Sequence, residues 1–159
     1  MVSSIKPFVM RREDGDRLAG PVGGAALIKA TTASTAGSIA LVDNVVGPKM
    51  GPPLHLHRRE DEMWFIVEGN FRFLADDVIL DAPEGSFVFV PRNTTHCFQN
   101  IDETPSRVLV LFTPSGMERF FIEHAELPPG VVDPAAYDRI AERSFMEVSG
   151  PPLSVSHPV

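Results

Sequence analysis

Residues 51–100 read GPPLHLHRREDEMWFIVEGNFRFLADDVILDAPEGSFVFVPRNTTHCFQN, and the fold is decided by the histidines and glutamate inside that stretch. Along an extended chain His55 and His57 project to one face while Leu56 projects to the other, so two imidazoles converge as a ligand pair. Glu62 follows after a four-residue turn as a hard oxygen donor. His96 completes an N3O set if its strand runs beside the first. Such mixed imidazole and carboxylate sets suit one divalent iron, manganese, nickel, copper or zinc ion per chain.

The turn residues around these ligands form a pattern. Glu62 opens a strand that runs into Gly69; Gly85 precedes a second run, Ser86 to Val90, then Pro91, His96 and Asn100. The arrangement resembles the cupin superfamily, whose first motif pairs H-x-H with E and G, here His55, His57, Glu62 and Gly69. Its second pairs G, P, G, H and N, here Gly85, Pro91, His96 and Asn100 with Asn93 at the inner glycine. No glycine lies six residues before His55, where the family has one. Asn tolerates a left-handed backbone better than other non-glycine residues, so the turn at Asn93 is expected to survive.

Working outward, short β-rich runs recur about every ten residues: 25–30, 38–46, 62–67, 70–74, 78–80, 86–90, 96–99 and 107–112. That rhythm predicts an all-β antiparallel sandwich or barrel, and a small barrel supplies a cavity for one ligand. The resemblance specifies a cupin jelly roll, a double-stranded antiparallel β-barrel with short C-terminal helices. One domain is expected, with a polar lead-in at 1–24, the barrel at 25–114, helices within 115–148 and an irregular proline-rich arm at 149–159. After Pro114 the period changes. Ser115 and Glu118 read as a capping box for a helix carrying Met117, Phe120, Phe121 and His124, and Pro128-Pro129-Gly130 stop it. A second helix starts at Asp133 with Pro134 at its first position and carries Tyr137, Ile140 and Ala141 on one side.

The chain has eleven Phe against one Trp, and the pairs Phe71/Phe73 and Phe87/Phe89 are assigned to core packing. Trp64 shares the parity of Glu62 and faces the interior, where it either lines a pocket or plugs the barrel. Trp64, Phe73 and Phe98 are the candidate substrate-pocket residues. Arg58 and Arg59 lie between ligands, at positions that could shape the rim. His124 and His157 are assigned no ligand role.

Net charge of −7 disfavours nucleic acid, whose binders cluster Lys and Arg against phosphates. No apolar run approaches the ~20 residues of a membrane span, and no signal peptide is recognised. The single cysteine, Cys97, follows His96 and points away from the ligands; it reads as a small buried apolar residue and fits a reducing compartment. A cytoplasmic protein and a homodimer are the expectations.

Beyond its two motifs the chain is similar to bacterial single-domain quercetin 2,3-dioxygenase-like cupins, including Gly51 to His57, Phe112 to Phe121 and Gly150 to Leu153. That resemblance implies a divalent metal held by His55, His57, His96 and Glu62, and O2-dependent cleavage of a flavonol or another enol or diketone compound. Glu62, held near apolar residues, is expected to have a raised pKa and to act as general base. The same donors fit a non-oxidative isomerase, cyclase or decarboxylase, and a non-catalytic module that holds a small ligand.

Overall fold

Two antiparallel sheets packed face to face make a jelly roll in the computed structural model, which describes residues 5–159. In chain order the elements are β1 (Asp16–Ala19), β2 (Ala25–Ala30), α1 (Thr32–Thr35), β3 (Ala40–Val46), β4 (Pro53–His57), β5 (Asp61–Glu68), β6 (Asn70–Ala75) and β7 (Val78–Pro83). They continue as β8 (Phe87–Val90), β9 (His96–Asn100), β10 (Ser106–Thr113), α2 (Glu118–Ala125), α3 (Pro134–Arg143), β11 (Met146–Pro152) and α4 (Leu153–Ser156). One sheet has the order β1-β2-β3-β10-β5-β8 and the other β11-β4-β9-β6-β7.

Strict alternation builds the core. On β5, Glu62, Trp64 and Ile66 are buried while Met63, Phe65 and Val67 turn outward; on β10, Val108, Val110 and Phe112 point inward. Phe71, Phe73 and Phe98 meet them from the opposite sheet. Trp64 is 0 % exposed and stacks edge-on against Phe73 at 5.0 Å and Phe98 at 6.0 Å. Trp64→Ala is therefore expected to lower folding stability by ~3–5 kcal/mol, read as a fall in the denaturant midpoint, because a large buried ring leaves a cavity that the barrel cannot close.

Both departures from the family's glycine pattern keep their turns. Asn93 has φ 65°, and Lys49, six residues before His55, has φ 60°, so non-glycine residues hold the left-handed backbone at both places. Gly69 (φ 90°) has a second constraint, since a Cβ there would lie 2.0 Å from Ser106 Oγ. Asn100, 0 % exposed, is a structural clamp: its amide donates to the carbonyls of Val46, Gly47 and Thr104 and accepts from Asp102 N and Ser106 Oγ.

Several expectations need correction. The lead-in contains β1, which pairs with β2, and the proline-rich arm contains the end of β11 and α4. Pro151 and Pro152 are tolerated because β11 is an edge strand, where an N–H can be missing. Phe87 and Phe89 are not core: they are 65 % and 52 % exposed, on the outer face of the edge strand β8. The capping box does not form either. Glu118 accepts instead from Thr32 N, Thr32 Oγ1 and Gly116 N, and Ser115 Oγ pairs with Thr32 Oγ1. The second helix starts as read, with Asp133 accepting from Ala135 N. It packs on the first through Tyr137 against Phe120 at 5.3 Å, and Phe121 reaches Phe112 at 6.3 Å.

Candidate metal centre

His55 and His96 are direct cross-strand partners on β4 and β9. One-residue alternation then places His57 on the same inward face. Glu62 arrives from β5 in the other sheet, so the cluster joins the two layers. The four residues are all buried, and one potential donor atom from each lies within 4.8 Å of the others. All four sequence-assigned ligands are thus brought together.

The donor geometry suits a metal. His55 Nδ1 lies 2.7 Å from Pro53 O and His96 Nδ1 lies 2.8 Å from Thr94 O, so each Nδ1 is held by a backbone carbonyl and Nε2 turns to the cluster, where a metal would take the place of the proton that His96 Nε2 gives to Glu62. Glu62 Oε2 is 2.8 Å from Nε2 of both His57 and His96 and 4.0 Å from that of His55. The His57 contact is close yet lacks hydrogen-bond alignment, and both ring nitrogens of His57 are buried without a partner among the described residues. Two acceptor atoms brought together in this way match a shared cation.

Burial, then the charges of His96 and His57, pushes His55 down to about 3, so its imidazole is neutral and able to ligate. Glu62 corrects an expectation. Burial alone raises its pKa, but the imidazoles of His57 and His96, each 2.8 Å from its Oε2, outweigh that and hold it well below the usual carboxylate range. His55 stays neutral in the fold yet protonates near 6.5 once unfolded, so the unfolded chain binds more protons between those values. The stability of chelator-treated protein is therefore expected to fall as pH drops from about 6.5 towards about 3, with Glu62 acting in the same direction at the acid end. A melting temperature flat across that range would contradict the assignment.

A cavity of about 40 Å3 opens over the cluster, lined by His55, His57, Glu62 and Phe98 and by a mostly apolar wall that includes Val110, Phe112, Met117, Phe120 and Phe121. The two C-terminal helices supply much of that wall. Of the three candidate pocket residues only Phe98 lines the cavity; Trp64 and Phe73 pack in the core, with Trp64 5.6 Å from His96. Arg58 and Arg59 do not shape its rim, since Arg58 pairs with Glu147 at 2.5 Å and Arg59 lies over the Phe145 ring at 4.7 Å. Cys97 is buried beside Leu74 and Leu153, and burial raises its thiol to about 11. Sequence reasoning missed Asn44, Tyr137 and Met146 as cavity residues. For Asn44 a signal existed, because it is the one polar residue on the inward parity Ala40, Val42, Asn44, Val46.

The fold and site define a class: a cupin-type jelly roll with three histidines and a glutamate that can hold a metal. A family model described as "Cupin domain" matches residues 45–112, which include all four candidate ligands. The chain is 29% identical over 56 residues to an uncharacterized protein of Methanocaldococcus jannaschii, and the shared segment spans 45% of that protein's length. Among solved structures it is similar to KdgF from Halomonas sp. (TM-score 0.61, 20% identity, 69% of this chain and 94% of that one). A predicted oxalate decarboxylase of Thermotoga maritima gives 0.60, 17%, 67% and 99%, and a cupin-superfamily sugar phosphate isomerase of Silicibacter pomeroyi gives 0.58, 18%, 68% and 76%. At these identities the likeness concerns the fold.

Proposed function

We propose that the protein is a metal-dependent dioxygenase that cleaves a compact enol or 1,3-diketone with O2. The observation that carries this reading is the apolar cavity directly over a His3Glu donor set. The cavity is small and its wall is mostly apolar, so a compact enol or diketone matches it better than a fused-ring flavonol. A sugar or polyol would need many polar partners, and the wall of phenylalanines, valine and methionine has few to offer.

A divalent ion held by His55, His57, His96 and Glu62 would supply Lewis-acid polarisation of a substrate oxygen and, if redox-active, a route for electrons to O2. The chain supplies the rest. Glu62 is the one carboxylate of the cluster and lines the cavity, so it is the group placed to accept the proton released when the substrate enolises. His55 is neutral, so its imidazole is free to ligate without first losing a proton. Phe98, Phe112, Phe120 and Phe121 exclude water from the electron-rich enolate. Both oxygen atoms of O2 enter the cleavage products, so no external reductant is required.

The test is elemental analysis of untagged protein prepared without chelator, joined to O2 uptake with 2,4-pentanedione. Near one equivalent of iron, nickel, manganese or copper with substrate-dependent uptake supports the reading; metal without uptake overturns it in favour of a non-oxidative isomerase or decarboxylase. The second reading draws on the neighbours described as a sugar phosphate isomerase and a predicted oxalate decarboxylase. We further propose a cytoplasmic homodimer with neither nucleic acid nor membrane as partner, supported by the acidic charge, the lone buried cysteine and the exposed Phe87 and Phe89 beside the free edge of β8. Among the described residues no helix is long and apolar enough to cross a membrane. Light scattering should return twice the chain mass, and a monomer mass would refute the dimer.

A further inference from the structure

Resting on that reading of the site, two polar side chains in the cavity wall have no role in the donor set. Asn44 projects inward from β3, is 2 % exposed, and lines the cavity with its amide oxygen buried and unpartnered among the described residues. Its strand neighbours on the same parity, Val42 and Val46, are apolar and fully buried. The amide oxygen lies close to Gly20, where an added Cβ would come within 3.1 Å of it, but no donor among the described residues reaches it. A buried acceptor left unpaired is costly, and native structures keep such groups where a ligand or an ordered water satisfies them.

Tyr137 lines the same cavity from α3. No hydrogen bond among the described residues engages its hydroxyl, and burial, followed by the charge of Glu62, keeps the phenol protonated far above neutral pH. It is therefore a donor on the wall of the cavity that the cluster also lines. The rest of the wall outside the ligand set is apolar, apart from backbone.

We propose that Asn44 and Tyr137 form a polar subsite that selects a compact, mainly apolar carbonyl compound bearing an additional hydroxyl: the hydroxyl pairs with the Asn44 amide and a substrate oxygen accepts from Tyr137. A hydroxyl both donates and accepts, so it satisfies the Asn44 amide in either orientation. A ligand without it leaves a buried acceptor unpaired, the situation in which sites discriminate most sharply. Asn44 thus sets which enol or diketone is accepted, and Tyr137 fixes how its oxygen is oriented towards the ligand cluster.

The experiment compares binding of 2,4-pentanedione and 1-hydroxy-2,4-pentanedione to the metal-loaded protein, anaerobically, by titration calorimetry. The hydroxylated probe is expected to bind about tenfold tighter to the wild type, on the scale of one hydrogen bond. Asn44→Leu should erase that preference, whatever its effect on 2,4-pentanedione itself, and Tyr137→Phe should weaken both probes while leaving the preference for the hydroxyl in place. Equal affinities in the wild type overturn the subsite without recourse to any variant, and would assign the Asn44 amide to an ordered water. A preference that survives Asn44→Leu overturns it as well. No turnover is read, so a protein that consumes no O2 can still show the preference, and one that consumes O2 can still lack it.

Discussion

His57→Ala is expected to strip most of the bound metal from the protein. Its Nε2 is 2.8 Å from Glu62 Oε2 without being hydrogen-bonded to it, the relation expected of two donors that share one cation. Removing it leaves two imidazoles and one carboxylate. Loss of outer groups that merely orient ligands already costs ~10–100-fold in affinity, so loss of a donor should cost at least the upper end of that range. Metal content in chelator-free preparations should fall from near one equivalent to below about one tenth. His124→Ala is the control. That side chain packs on Phe120 and Tyr137 away from the donor set and should leave metal content unchanged. Full occupancy in the His57 variant would sink the site assignment.

Glu62→Gln should abolish turnover while leaving the cavity's shape intact. The amide keeps the size of the carboxylate but cannot take up a substrate proton, and loss of a positioned general base typically costs ~10²–10⁴-fold in rate. Because Glu62 is also one of the four donors, the rate has to be read at matched metal loading. Turnover lost with ligand binding retained identifies an enzyme in which Glu62 handles the proton. Turnover unchanged removes that role. Probe binding without turnover in the wild type as well would point to the non-catalytic binding module.

The ligand set was legible because it depends on local rules. Alternation places His55 with His57, and the turn residues Gly69, Gly85, Pro91 and Asn93 fix where each strand begins and ends. What was not legible depends on what covers what. Phe87 and Phe89 alternate like core residues, yet β8 is an edge strand whose outer face has no second layer, and no local pattern reveals that. Ser115 and Glu118 have capping-box spacing, but Thr32, 86 residues upstream of Glu118, offers its N–H and hydroxyl to the carboxylate. Glu62 was expected to have a raised pKa from its apolar surroundings; the two imidazoles at 2.8 Å reverse the sign. The parity of Trp64 fits a pocket wall and a barrel plug equally, and how deep the cavity reaches decides between them, which the packing of Phe73 and Phe98 determines.

The four donors come from three strands, two in one sheet and one in the other. An ion there acts as a rivet through the sandwich, since it can bind in full only when the two layers are stacked in register. Its affinity is then drawn on twice, once for the chemistry of the cavity and once for holding the layers together. At a thousandfold excess of free ion over its dissociation constant the second share amounts to ~4 kcal/mol, comparable to a sizeable part of a small domain's whole stability. Removing such an ion would therefore loosen the stacking of the two sheets as well as empty the site.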